Sequence, residues 1–167
     1  MANSIHGLCA PLLIAAGACG FAAPASAQLA THKDITLAIA SAIVEGAIEN
    51  CHSRGYAASA VVVDRDGQTI VAMRGDGTGP HTLENARRKA YTANSFKQLT
   101  TAYAKKFADK DPTVLQQVTL PNVIAIGGGV PIKVGNDVIG AAGLSGSPGV
   151  DEECVMAGMA KVADQLK

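Results

Sequence analysis

Two short turn signals, each set between β-rich runs, constrain this chain more than anything else in it. Ala58–Asp64 and Gln68–Arg74 are rich in β-formers and are joined by Asp64-Arg65-Asp66-Gly67, a turn sequence suited to a hairpin. Pro131–Val134 and Val138–Leu144 repeat the arrangement about Gly135-Asn136-Asp137. Strands joined so tightly pair antiparallel, because a parallel crossover needs about a dozen residues or more. Val123–Ile126, apolar and followed by Gly127-Gly128-Gly129, predicts one further strand. The element order is α-β-β-α-α-β-β-β-α. It predicts an α+β fold whose central, mainly antiparallel sheet of about five strands is flanked by helices.

Helical spacing fills the gaps between those runs. Asp34 or Thr36 can cap a first helix running to about Asn50, with Leu37, Ala40, Ile43, Val44, Ala47 and Ile48 on its buried side. The loop Gly75-Asp76-Gly77-Thr78-Gly79-Pro80 leads into a second helix, with Thr82 as expected N-cap and Glu84 in the first turn, where a carboxylate suits the dipole. Leu83, Ala86, Ala90 and Ala93 give that helix a small-residue face able to lie close on a sheet. Arg87, Tyr91 and Asn94 form a neighbouring stripe, either a solvated face or a wall for a flat anionic ligand. Thr100–Ala108 predicts another helix, Thr113–Val118 is ambiguous, and Asp151-Glu152-Glu153 opens a terminal helix expected to run through Gln165. The glycines of Val138–Leu144 let a backbone or a flat ligand approach that strand closely.

The first 27 residues have the pattern of an export signal. Leu8–Ala23 is apolar, and Ala25-Ser26-Ala27 supplies small residues for cleavage before Gln28. The expected working molecule is one domain, Gln28–Lys167, in a periplasmic or secreted location, and no segment is long and apolar enough to predict a membrane span. Cys9 and Cys19 leave with the signal, so Cys51 and Cys154 remain as a disulfide candidate or as two separately buried thiols. With fourteen basic and fourteen acidic side chains, three Tyr, three Phe and no Trp, the chain lacks the basic excess and aromatics of a nucleic-acid binder.

Chemistry-bearing motifs are sparse. Gly127-Gly128-Gly129 lacks the Lys-Ser/Thr of a phosphate loop and suits a tight turn, and no GxSxG elbow surrounds Ser145. His32, His52 and His81 are scattered, without the spacing of a zinc site. His81, just before the second helix, is the best placed to ligate a haem iron, with Tyr91 and His52 behind it and Thr78 an unusual alternative. Arg74 and Asp76 flank the glycine loop, either closing it as a local salt bridge or leaving Arg74 to pair with a ligand carboxylate. No acid, base and nucleophile can be assembled from these residues, so catalytic residues and enzyme activity stay unassigned.

Several blocks together resemble one family. They are Val63-Asp64-Arg65-Asp66-Gly67, Arg74-Gly75-Asp76-Gly77, Ala86-Arg87-Arg88-Lys89-Ala90-Tyr91-Thr92-Ala93, Gly127-Gly128-Gly129-Val130-Pro131-Ile132 and Ile139-Gly140-Ala141-Ala142-Gly143-Leu144-Ser145-Gly146, with Asp151-Glu152-Glu153-Cys154 after them. In this order, from about Asp34 to Leu166, they resemble the GlcG/HbpS family of haem-binding or "haem-degrading" domains. The resemblance implies a profilin-like three-layer domain, assembly into homo-oligomers, and haem as cofactor, used for haem or iron sequestration, relay or sensing. It does not single out an axial ligand. On that reading His81 ligates iron, from one chain or from two. Arg74, Arg87 and Arg88 stand near the propionates, and Asp76, Thr78 and Tyr91 complete the candidate pocket. Two alternatives are a small-carboxylate-binding protein or enzyme, in which Arg74 and the amides of Gly127–Gly129 hold the acid and Asp76 or Glu84 handles a proton, and an oligomeric interaction protein.

Overall fold

Ser59–Asp64 forms β1, a strand buried on both faces, and the layers follow from that burial. The computed structural model describes residues 29–167, and His32–Lys167 forms one compact unit; the segment read as an export signal lies outside the described residues. β1 pairs antiparallel with β2 (Thr69–Arg74) on one side and with β4 (Asp137–Ser145) on the other, and β4 pairs antiparallel with β3 (Gly129–Val134). The sheet order is β2-β1-β4-β3.

Side chains along β1 and β4 alternate between two cores, as the two-residue period requires. Val61, Val63 and Ala141 face α2 (Thr82–Phe96), meeting Ala86, Ala90 and Ala93. Ala60, Val62, Ala142 and Leu144 face α1 (Leu37–Ser53) and α5 (Asp151–Ala160), meeting Ile43, Val44 and Val155. The result is helix on sheet on helix, three layers with the strands in the middle. Close approach depends on missing side chains. A Cβ on Gly143 would lie 2.1 Å from the Ala86 carbonyl oxygen, so α2 rests almost backbone to backbone on β4.

α1 and α5 run in opposite directions, with Ala47 against Gly158 and Cys51 bonded to Cys154. Of the two readings of the cysteine pair, the structure therefore takes the disulfide, with a Cα–Cα distance of 5.6 Å. α1 is capped by Thr36, whose hydroxyl accepts from the Ile39 amide.

Three expectations change and one open reading is resolved. Among the described residues the sheet has four strands, since Val123–Ile126 is not one of them. Its backbone is claimed by helix side chains instead: the Ile124 amide donates to Thr92 Oγ1, and the Val123 carbonyl accepts from Arg88. Thr82 is the first residue of α2 rather than its cap, because its buried hydroxyl donates to the Gly79 carbonyl, and His81 takes the cap position. The ambiguous stretch is a helix, α4 (Pro112–Gln117), capped by Asp111 after α3 (Thr100–Ala108). The last helix ends at Ala160, where the Lys161 and Val162 amides bond three residues back and a 3-10 turn follows at Ala163–Gln165.

Candidate functional site

A cavity of about 940 Å³ opens where β4 ends, between the first turns of α2 and α5. Its wall on the α2 side is set by helical geometry. His81, Asn85 and Lys89 stand at i, i+4 and i+8, one above the other, and all three line the cavity beside Thr82. On the far side lie Asp151, Glu152, Glu153 and Met156 of α5, and the floor is made largely by glycines, Gly127, Gly128 and Gly146 among them. Tyr56, Ile126 and Met156 are exposed apolar side chains on the same lining.

Lys89 is the cation of this site. Its side chain is 2% exposed, and its ammonium donates to Asp151 Oδ2 at 2.7 Å and to the Leu144 carbonyl at 3.0 Å. Asp151 is held in turn by the Ser147 amide at 2.9 Å and the Ser147 hydroxyl at 2.7 Å. Charges this far from water persist only when paired and hydrogen-bonded, and here the two pair with each other. Gly128, at φ +124°, makes the room: a Cβ there would come within 2.9 Å of Lys89 Nζ and 2.8 Å of Asp151 Cβ.

The remaining carboxylates are engaged by the chain itself. Glu152 Oε1 accepts from the Thr101 amide at 2.7 Å, at the start of α3, and from the Gly128 amide at 3.2 Å. The Gly129 amide donates to Thr100 Oγ1. Gly128 and Gly129, expected as donors to a ligand carboxylate, thus spend their amides internally. Glu153 pairs with Arg54 at 2.7 Å.

The residues singled out from sequence fall into three places. His81 is on the cavity lining, exposed, with no capping bond from its side chain. Arg74 and Thr78 close the glycine loop: the guanidinium donates to Thr78 Oγ1 at 3.1 Å and to the Thr78 carbonyl at 2.9 Å, so the partner that closes the loop is Thr78 rather than Asp76, which is exposed. Arg87, Arg88 and Tyr91 lie on another flank of α2, away from the cavity lining. Arg87 grips both oxygens of Glu84 at 2.7 and 2.8 Å and donates to Asn122 Oδ1, while Arg88 reaches the Val123 carbonyl. Hydrogen bonding from Arg87 holds the Glu84 carboxyl below its ordinary range. Tyr91 lines a second hollow of about 320 Å³ with Phe96, Leu120 and Asn122. That stripe braces the 122–124 segment.

Lys89 and Asn85 carry no motif that marks them as site residues, although the spacing that selects Ala86, Ala90 and Ala93 also places position 89 on the buried face. A lysine there signals a buried ion pair. Asp151, read as favourable to a helix dipole, is its partner.

The comparisons with known proteins agree on the family. The family model described as "Haem degrading protein HbpS-like" matches residues 35–160. Protein GlcG of Escherichia coli strain K12 is 30% identical over 107 residues, 64% of this chain and 78% of that protein. A double-mutant HbpS from Streptomyces reticuli has a crystal structure with 34% identity and a TM-score of 0.74, covering 84% of this chain and 97% of that one. The fold is also shared, at 22% identity and a TM-score of 0.68 over 77% of this chain and 94% of the other, with PduOC, solved as a complex with heme. With the matched segment running from Ile35 at the lead into α1 to Ala160 at the end of α5, the chain belongs to the GlcG/HbpS family of HbpS-like proteins.

Proposed function

We infer that this protein binds haem in the cavity, with His81 as ligand to the iron. The observation that carries the reading is an exposed imidazole on the lining of a glycine-floored cavity of about 940 Å³, a size suited to a cofactor. The fit rests on three features of the chain. Glycines leave space for a flat ring system, Tyr56, Ile126 and Met156 offer apolar contact, and His81 offers the commonest kind of haem-iron donor. Membership of a family described as haem degrading, and the heme complex of PduOC, support the same reading. Bound haem supplies an iron centre able to take a further ligand or an electron. The chain's own work is to hold the ring, present the imidazole and limit water.

Sequestration, relay or sensing of haem outside the cytoplasm is the role that fits. The buried Cys51–Cys154 disulfide supports an oxidising compartment, in line with the signal-like first 27 residues. Titration of the purified protein with hemin tests the reading: a shifted Soret band at micromolar ligand is expected, and its absence rejects haem binding.

One observation favours a second occupant. Lys89 gives the cavity a buried cation, which suits a small organic acid as well as a propionate. A thermal shift with small carboxylates and none with hemin would select that reading.

A further inference from the structure

We propose that Lys89 is the ligand anchor of the cavity, and that the third N–H of its ammonium is reserved for a carboxylate oxygen of the bound molecule. The inference deepens the haem reading, since a propionate is one source of that carboxylate, and a free organic acid is the other. It rests on an accounting of donors. An ammonium has three N–H groups, and two of Lys89's go to Leu144 O and Asp151 Oδ2. The side chain lines the cavity while otherwise withdrawn from water, and the missing Cβ of Gly128 is what keeps the space beside Nζ open.

The other cations expected to meet a carboxylate are occupied elsewhere. Arg74 closes its own loop on Thr78, Arg87 is bound to Glu84 and Asn122, and Arg88 to the Val123 carbonyl. Three carboxylates also face Lys89's end of the cavity, and each is already engaged. Asp151 takes Lys89 and both Ser147 donors, Glu152 takes the Thr101 and Gly128 amides, and Glu153 takes Arg54. Among the described lysines and arginines, the charged donor on the cavity lining is thus Lys89. Asn85, one turn nearer the mouth on the same stripe, lies beside the path to it. The anchor orients the ligand: its carboxylate points inward to Lys89, and its body lies toward His81 and the apolar rim.

Hemin and hemin dimethyl ester, which lacks free carboxylates, are titrated against the native protein and against Lys89→Met/Asp151→Asn, which removes both charges of the pair together. Small mono- and dicarboxylic acids are screened on both by thermal shift. Native protein is expected to bind hemin about tenfold or more tighter than the ester, as a charge-assisted hydrogen bond requires, and the double variant to bind the two alike. Equal affinity of native protein for hemin and ester, with carboxylates giving no shift, overturns the anchor while leaving haem binding intact. Carboxylates that stabilise the native protein but not the variant, with no hemin binding, keep the anchor and reject haem. Failure of every ligand overturns both. Equal binding of hemin and its ester by native protein overturns the anchor even if the variant does not fold.

Discussion

Lys89 Nζ stands 2.7 Å from Asp151 Oδ2, tying α2 on one face of the sheet to the first residue of α5 on the other. The link passes around the end of β4, where Lys89 also bonds the Leu144 carbonyl, so one side chain fastens all three layers. Breaking one half of such a pair strands the other charge out of water. Lys89→Met is expected to cost about 3–5 kcal/mol by chemical denaturation. Lys89→Met/Asp151→Asn is expected to recover most of that loss, because Asn retains an acceptor for Ser147 and no charge is left unpaired. If the double variant were no more stable than the single one, the pair's charges would not be what matters there.

The Cys51–Cys154 bond closes a sequence separation of 103 residues between α1 and α5, and both sulfurs are buried. Cross-linking over so long a loop restricts the unfolded chain strongly, so Cys51→Ser/Cys154→Ser is expected to lose about 2–5 kcal/mol. Burial also predicts that a thiol reductant reaches the bond only after unfolding. Thiol labelling of the native protein in reductant should therefore track the rate of global opening.

Gly143→Ala is expected to be disproportionately harmful for a single methyl group. The new Cβ would lie 2.1 Å from the Ala86 carbonyl oxygen and 2.6 Å from the Ala90 amide nitrogen, both backbone atoms that cannot swing aside. α2 would have to lift from the sheet, at a cost of about 1–3 kcal/mol or more. The His81–Asn85–Lys89 stripe would lift with it, so thermal midpoint and ligand affinity should fall together.

The layers were legible in the sequence because hairpin turns and apolar periods are local signals. Asp64-Arg65-Asp66-Gly67 announces β1 and β2 whatever surrounds it. Val123–Ile126 misled for the opposite reason: it is apolar enough for a strand, but Thr92 and Arg88, about thirty residues away, capture its backbone groups. The candidate site divides in the same way. His81 stands out by position alone, whereas Lys89 hides among Arg87 and Arg88, and only the register of the helix separates the buried cation from its half-buried neighbours. Its partner is 62 residues further on, beyond the reach of any spacing rule.

Arg87 donates to both oxygens of Glu84 and lowers the pKa of that carboxyl. A group whose folded pKa lies below its unfolded value adds stability above the unfolded pKa, and that stability is lost as pH falls through the folded one. The Glu84 contribution is therefore present at neutral pH and disappears on acidification below the ordinary carboxylate range. Since the Glu84 side chain is 58% exposed, solvent screening keeps the pair below about 1 kcal/mol. Arg87→Ala should raise the Glu84 titration midpoint in a carboxyl-resolved NMR titration and leave hemin affinity unchanged, since Arg87 does not line the cavity.

His81→Ala tests the proposed iron ligand separately from the pocket. The residue is exposed, its side chain makes no capping bond, and the Asn85 amide bonds only its backbone carbonyl, so thermal stability is expected to change by no more than about 0.5 kcal/mol. On the proposed reading its imidazole is the iron donor. Removing it should shift the Soret band of the hemin complex and weaken binding, and added free imidazole should restore the native spectrum by entering the space left behind. Contact with the ring through Tyr56, Ile126 and Met156 would persist, so residual binding with an altered spectrum is the expected result. An unaltered spectrum in the variant would move the ligand assignment to another residue without rejecting haem binding itself.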